Sequence, residues 1–327
     1  MKSMMQKASV RLTLGALMWS VCATGAFAED VLGYFSYGNK DGTTPTQKIK
    51  YVKVNLVEAW DKIAVPALDA QCDQDGKPNI RMSVLKNTLP AVNPGNCDMT
   101  NLGWWRGAGM PYNQYRFLMS ANFYNAAGGY GDVCGKGLGV TIHETTWISG
   151  EEAADRKVHD KDTNTLIIYN QAGRDKFAKY ATIVGTGYDF TANKQYIRGA
   201  VSGYRFMTND AFQAQPIAIS PNGQKPRAAV GLSENGETLI FLAINAGSAL
   251  PNGEDLKQTG KFYNALRDLG AYNALNLDGA GSAELILKEL DADAALLYTK
   301  ASDERNAAGK MCSKRFYRPL PIVMGVE

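Results

Sequence analysis

The sequence of 327 residues is poor in the residues that most often build metal and acid–base sites, since it has two histidines and five cysteines. Neither a C-x-x-C pair nor an H-x-x-x-H pair occurs, which argues against a zinc site. A G-x-S-x-G segment is also missing, which disfavours a serine hydrolase with a nucleophile elbow. We therefore expect no cofactor, and a divalent cation stays an open alternative.

Excess charge of one sign is missing once the first 28 residues are set aside. That segment holds Lys2, Lys7 and Arg11 and no acidic residue, so the remainder balances 32 basic against 32 acidic residues. A neutral chain lacks the basic surface that binds nucleic acid. We expect no nucleic-acid partner.

Long apolar runs are also scarce. The run from Leu12 to Val21 follows a basic start and precedes the small-x-small segment Ala26-Phe27-Ala28. This pattern predicts a secretory signal peptide over residues 1–28, and the run is too short for a membrane-spanning helix. We expect a secreted or periplasmic protein that is cleaved near Ala28 and has no stable membrane span.

Four cysteines follow the predicted cleavage site, and an oxidising compartment permits disulfides. Three pairings are possible, and spacing alone does not choose among them. We favour Cys72–Cys97, which would close a loop-rich segment, and Cys134–Cys312, which would tie back the C-terminal segment. Free buried thiols are the alternative.

Hydrophobic periodicity predicts an α+β fold, with a mixed or antiparallel β-sheet core and a few packed helices. Lys48–Val57 alternates as a half-buried strand. Asn235-Gly236 between the apolar runs 228–233 and 238–245 predicts a β-hairpin. A helix over 256–269, ending at Gly270, is expected to lead into the next strand and give the region βαβ character.

We expect one domain over residues 29–327, with an irregular insertion at about 70–112. Within this insertion, Trp104-Trp105-Arg106 is either a platform for stacking sugars or a loop that covers the core.

Three further expectations concern local structure: a helix over 58–69, a turn at Gly173, and an edge strand over 316–326 because of Pro319 and Pro321.

The segment 274–287, ALNLDGAGSAELIL, places Asp278 between two apolar runs and beside Gly279 and Gly281. Backbone N–H groups of such a loop can converge on an anion or a sugar oxygen. The local pattern by itself favours an ordinary hairpin, because Asp-Gly between apolar runs is a strong turn signal.

Several blocks occur in an order that resembles the phosphodiester glycosidase family. They are SANFYN at 120–125, PRAAVGLSENGETLIFLAIN at 226–245, LDGAGS at 277–282 and RPLPIVMGV at 318–326. The family includes the lysosomal enzyme that removes N-acetylglucosamine from a mannose phosphodiester. The resemblance implies an exported hydrolase that cleaves a sugar-phosphodiester or related glycosidic bond in glycan or envelope material.

The resemblance and the chemistry of such a reaction suggest which residues form the site. A guanidinium can hold the phosphate, and a carboxylate can act as base, nucleophile or electrostatic stabiliser at the anomeric carbon. The candidate catalytic residues are Arg227, Asp278 and Ser282. The candidate substrate-binding residues are Ser120, Asn122, His143, Asn276, Gly279 and Gly281.

The sequence departs from the family pattern at three positions. Ser120 stands where the family usually has Asn, Ala228 where it has Thr, and Ala280 where it has the middle glycine of D-G-G-G-S. These departures leave an alternative function open, in which a catalytically degenerate member binds a glycan or a protein without turnover.

Overall fold

A computed structural model of the chain describes residues 30–32, 35–39, 49–65, 115–125, 136–151, 157–158, 161–214, 227–244, 261–279, 283, 285–287 and 322–327. The leader, all five cysteines, Trp104-Trp105-Arg106, His159 and residues 280–282 lie outside the described residues. The cleavage site, both disulfides and the single-domain boundary therefore stay predictions.

Strands dominate the described residues, which confirms a strand-rich α+β fold. The strands are β1 (Asp30–Leu32), β2 (Phe35–Asn39), β3 (Ile49–Asn55), β4 (Ile63–Ala64), β5 (Phe117–Ser120), β6 (Tyr124–Asn125), β7 (Lys136–Gly137), β8 (Thr141–His143), β9 (Thr146–Ser149), β10 (Lys157–Val158), β11 (Lys161–Asp162), β12 (Asn164–Tyr169), β13 (Ala181–Val184), β14 (Ile197–Thr208), β15 (Ala211–Phe212), β16 (Arg227–Leu232), β17 (Thr238–Ile244), β18 (Asn273–Asn276), β19 (Leu285–Leu287) and β20 (Val323–Val326). The α-helices are α1 (Leu56–Ala59), α2 (Gln171–Phe177), α3 (Phe190–Asn193) and α4 (Lys261–Asp268). No helix in the described part of the chain is long and apolar enough to cross a membrane.

One large sheet has the strand order β1-β2-β3-β17-β16-β18-β14-β12-β13, and β8 and β15 also pair with β14. Strands β16 and β17 form the predicted antiparallel hairpin. Both β17 and β18 are antiparallel to β16, so they run parallel to each other on its two sides. Helix α4 connects them, which confirms the expected βαβ character.

A smaller sheet, with the order β19-β5-β20-β4, packs against one face of the large sheet. The core between the sheets contains alternate residues of both, such as Val230 and Leu275 from the large sheet and Met119 and Met324 from the small one. Phe117 and Phe241 meet edge to face across it, with ring centroids 4.6 Å apart. Burying these side chains stabilises the fold by about 1.5–3 kcal/mol for each large apolar residue.

The other face of the large sheet packs against α4 through Phe262 and Leu266. Gly231 permits this close contact, because an added Cβ would lie 2.8 Å from the Cβ of Ala271. Gly270 follows the helix with φ +97°, as the helix-stop pattern predicts. The large sheet is therefore covered on both faces, which explains why β16 is buried along its whole length.

Three local expectations were wrong. The helix expected over 58–69 is instead the short α1, capped by the Asn55 side chain, followed by a single 3-10 turn at Trp60–Lys62 and by β4, and residues 66–69 lie outside the described residues. Gly173 lies inside α2 rather than at a turn, and a glycine is needed there because a Cβ would collide with the Tyr196 carbonyl oxygen. Strand β20 lies between β5 and β4 rather than at a sheet edge, and both prolines precede it.

The hairpin interpretation of Asp278 was also wrong. Strand β18 before it pairs with β14 and β16 in the large sheet, whereas β19 after it pairs with β5 in the small sheet. The chain thus crosses from one sheet to the other at Asp278. A two-residue Asp-Gly signal cannot distinguish a turn within one sheet from a crossing between two sheets.

Candidate functional site

The backbone at Asp278 is fixed where two neighbouring strands separate. Pairing between β14 and β18 ends at Tyr204 and Asn276. Beyond this pair, the Asp278 N–H donates to the carbonyl oxygen of Ala121, at 3.0 Å. The end of β5 therefore enters the opening between the strands and holds the start of the Asp278 loop.

Asn122 occupies the other side of this opening. Its Oδ1 accepts the backbone N–H of Ser202 at 2.8 Å, and its Nδ2 lies 2.9 Å from Thr141 Oγ1. Nδ2 also lies 3.0 Å and 3.2 Å from the carbonyl oxygens of Leu138 and Val140. The side chain is 2% exposed, so both ends of the amide bind the protein interior and position the residues around the site.

Ser202 extends this buried polar network. Its hydroxyl accepts the Val140 N–H at 2.8 Å and lies 2.8 Å from Thr165 Oγ1. Buried polar groups are costly unless they are paired, and here the pairings join β14 to β12 and to the segment before β8. The network makes this end of the large sheet a rigid support.

Arg227 begins β16, and Asp278 follows the end of β18, the strand that pairs with β16. The Leu277 N–H donates to the carbonyl oxygen of Ala228 at 2.8 Å, which continues the register of β16 and β18 by one residue. One further residue of the same register would set Arg227 opposite Asp278. Arg227 is 3% exposed, and a guanidinium at such depth is suited to bidentate binding of a phosphate or carboxylate.

Strand alternation puts Arg227 and Asn276 on the face of the large sheet that α4 covers further along the strands. Their neighbours Ala228 and Leu275 point the other way, into the core between the sheets. Asp278 follows β18 at a bend, where the chain leaves the large sheet.

The Asp278 carboxylate is oriented by its own loop. Its Oδ1 accepts the N–H of Gly279 at 2.9 Å, and the residue is partly exposed. A carboxylate held in this way can approach a ligand without first losing conformational entropy. Gly281 and Ser282 lie outside the described residues.

Asn276 and Tyr204 lie directly opposite each other at the last pair of β18 and β14. Asn276 is 1% exposed, and its Oδ1 has no hydrogen-bond partner within the described residues. Burial raises the pKa of the Tyr204 hydroxyl to about 12. Phe123 packs edge to face on the Tyr204 ring, with centroids 5.5 Å apart.

The remaining candidates flank this centre. Ser120 is buried on β5 opposite Val323, two residues before Asn122. His143 is half-buried on β8 opposite Gly199. Gly199 precedes Ser202 by three residues, which is about 10 Å along the strand. Arg227 at the start of β16 and Asn276 at the end of β18 thus lie on paired strands, and Asp278 and Gly279 follow β18 directly. Asn122 supports this end of the sheet, Ser120 lies on β5 in the small sheet, and His143 lies on β8 beside β14.

One departure from the family pattern lies away from this face. Ala228 belongs to the core between the sheets, and its side chain points opposite to that of Arg227. The loss of a threonine hydroxyl there changes core packing rather than the face with Arg227 and Asn276. Ser120 is buried beside the site, and Ala280 lies outside the described residues.

Sequence reasoning missed Ser202 and Tyr204. Both lie on β14, which runs from Ile197 to Thr208 and is buried along most of its length. The strand-forming apolar and aromatic residues of IRGAVSGYRFMT were the available signal. The described residues contain no group of three or more His, Cys, Asp or Glu that could hold a metal ion.

The solved structures that match this chain share little sequence with it. The catalytic domain of zebrafish N-acetylglucosamine-1-phosphodiester alpha-N-acetylglucosaminidase, auto-inhibited by its pro-peptide, is 12% identical over 90% of this chain and 88% of that chain, with a TM-score of 0.46. A hypothetical protein from Synechocystis is 14% identical over 92% and 61%, with a TM-score of 0.44. A Burkholderia pseudomallei protein described as exported is 10% identical over 85% and 73%, with a TM-score of 0.44.

No curated protein matches the sequence at a significant level. The model of the phosphodiester glycosidase family matches residues 117–325, which agrees with the extent expected from the ordered blocks. This range is more than half of the chain and includes Arg227, Asn276 and Asp278. The chain belongs to the phosphodiester glycosidase family.

Proposed function

We propose that this chain is an exported hydrolase that cleaves a sugar-phosphodiester or related glycosidic bond in glycan or envelope material. The observation that supports the proposal is the pairing of β16, which begins at Arg227, with β18, which ends two residues before Asp278. Family membership supports glycosidase-type chemistry.

The reaction needs opposite charges at its two ends. As the bond between the anomeric carbon and the phosphate oxygen breaks, its electrons leave with the phosphate, and positive charge develops on the sugar. Arg227 binds the phosphate through two parallel N–H donors, and Asp278 stabilises the positive charge. Water adds to the anomeric carbon, and its proton passes to solvent.

The other candidates orient the substrate and the loop. The N–H groups of Gly279 and Gly281 and the Ser282 hydroxyl supply hydrogen-bond donors, while Ser120, Asn276 and His143 contact the sugar. Asn122 is a positioning residue, because its amide forms hydrogen bonds with Ser202 and with the start of β8. Phosphate is a good leaving group, so the proposal needs no strong general acid.

A panel of synthetic sugar phosphodiesters tests the activity. Asp278→Asn is expected to lower kcat/KM by about 10²–10³-fold, because one preorganised charge is removed. Arg227→Lys keeps the charge but loses the bidentate fork, so kcat/KM is expected to fall by at least about tenfold. Asp268→Asn and Arg267→Ala, which alter an exposed pair on α4, are the matched controls and should leave kcat/KM unchanged.

Two results would contradict the proposal: wild type releases no sugar from any phosphodiester, or Asp278→Asn has wild-type kcat/KM. Calorimetric binding of a phosphodiester without turnover would instead favour the non-catalytic glycan-binding alternative. Export is tested separately by sequencing the N-terminus of the protein recovered outside the cytoplasm. We expect it to begin at Glu29, and an intact leader would contradict export by signal cleavage.

A further inference from the structure

Asn276 presents a buried acceptor that the fold itself does not use. Its side chain is 1% exposed, and Oδ1 has no partner among the described residues. Leaving such an acceptor unpaired costs about 1–3 kcal/mol. Asn122 is equally buried, yet both ends of its amide are paired. The difference indicates that Asn276 is kept for something other than stability.

The surroundings of Asn276 connect it to the charged pair. Its cross-strand neighbours are Tyr204 on one side and Ala229 on the other. Ala229 has only a methyl group, so β16 offers Asn276 no hydrogen-bonding side chain at this position. Asp278 lies two residues further along the chain, about 7 Å away, and Arg227 begins the paired strand two residues before Ala229. A ligand held by Arg227 and Asp278, as proposed above, would therefore reach Asn276.

We infer that Asn276 Oδ1 binds a hydrogen-bond donor of the substrate, and that the site selects sugars with a hydroxyl or amide N–H at that position. Ether, ring and phosphate oxygens are acceptors and cannot take this place. A dry site built to bind a donor strongly rejects the analogue without it, because the acceptor is then left unpaired. This inference rests on the proposed function and specifies its substrate class.

A donor-deletion series tests the inference. Each ring hydroxyl of an accepted sugar phosphodiester is replaced in turn by hydrogen or fluorine, neither of which donates. Wild type is expected to lose about 10–100-fold in kcat/KM at one position, which corresponds to about 1–3 kcal/mol. For Asn276→Leu, removal of the same hydroxyl is expected to lower kcat/KM by less than about threefold. Asn276→Asp keeps an acceptor, so its kcat/KM should still depend on that hydroxyl as in wild type. Equal losses in wild type and Asn276→Leu at every position would overturn the inference.

Unfolding in urea gives a readout that does not depend on turnover. Asn276→Leu is expected to unfold at the same or a higher midpoint than wild type, because it removes an unpaired polar group. Asn122→Leu, the matched control with a paired amide, is expected to unfold at a lower midpoint. Asn276→Ala is measured as well, since it does not require space for a larger side chain.

If Asn276→Leu and Asn276→Ala both lower the midpoint as far as Asn122→Leu does, Asn276 is a structural residue and the inference fails. If wild type cleaves no phosphodiester, the proposed function fails and the unfolding comparison alone decides about Asn276. The two failures are therefore distinguishable.

Discussion

The side-chain oxygen of Asn122 accepts the backbone N–H of Ser202 at 2.8 Å, just where β14 loses β18 as its neighbour. The Asn122 side chain thereby provides β14 with a hydrogen-bond acceptor beyond the point where β18 stops pairing with it. The same segment, through the carbonyl oxygen of Ala121, receives the N–H of Asp278. The position of the proposed catalytic carboxylate therefore depends on the end of β5, about 150 residues earlier in the chain.

Replacing Asn122 by Ala should destabilise the protein by about 3 kcal/mol, because the Ser202 N–H and the Thr141 hydroxyl lose a buried partner. The measurement is the free energy of unfolding in urea. Asn193→Ala is the control, since that amide makes two exposed hydrogen bonds, one to the Asp189 carbonyl oxygen and one from Lys176 Nζ, and it should cost less than about 1 kcal/mol. Equal losses for the two variants would contradict the supporting role of Asn122.

Gly203 allows β14 to lie close to β18, since a Cβ there would collide with the Asn276 carbonyl oxygen. Gly203→Ala must displace backbone and is expected to cost about 2–3 kcal/mol. Gly187→Ala is the matched control, because no atom lies within 4 Å of the position that its added methyl group would take, and it should be neutral or stabilising by up to about 1 kcal/mol. Calorimetric melting of both variants makes the comparison, and a neutral Gly203→Ala would refute the close approach.

The turn between β8 and β9 contains two non-glycine residues with positive φ, Glu144 at 45° and Thr145 at 67°. A β-branched residue in the left-handed region is strained by about 1–2 kcal/mol. Thr145→Gly should therefore raise the free energy of unfolding by about 1 kcal/mol. Thr146→Gly, one residue later in the extended β9, should lower it by about 0.5–1 kcal/mol. Effects of the same sign in both variants would argue against strain at Thr145.

Burial raises the pKa of Tyr204 from 10.0 to about 12 in the folded protein. The folded state therefore holds this proton more tightly than the unfolded state. The resulting stability is fully present below pH 10 and is lost as pH rises from 10 to 12. Tyr204→Phe should make the fall in unfolding free energy over this window less steep, as measured by urea titrations at several pH values. Parallel curves for the two proteins would show that Tyr204 does not ionise with a raised pKa.

Much of the architecture follows from local patterns. The Asn235-Gly236 hairpin, the alternation of β3, and the glycine at the end of α4 were predictable because neighbouring residues decide turn geometry and strand faces. Short apolar segments predicted secondary structure less well. The helix after Asn55 was misplaced, and the turn expected at Gly173 is part of a helix. In both cases tertiary contacts, rather than propensity, decided the element.

For the site, the sequence by itself determined the residue types and their family order: an arginine before one strand, an Asp-Gly loop after another, and Asn122 after a third. Only the tertiary structure decided that the strand beginning at Arg227 pairs with the strand before Asp278, that Ala228 points away from Arg227, and that Asn276 is buried with an oxygen that has no partner among the described residues. The reason is physical. Strand register and sheet membership depend on backbone hydrogen bonds between segments far apart in the chain, and no local pattern records which segment will supply the partner.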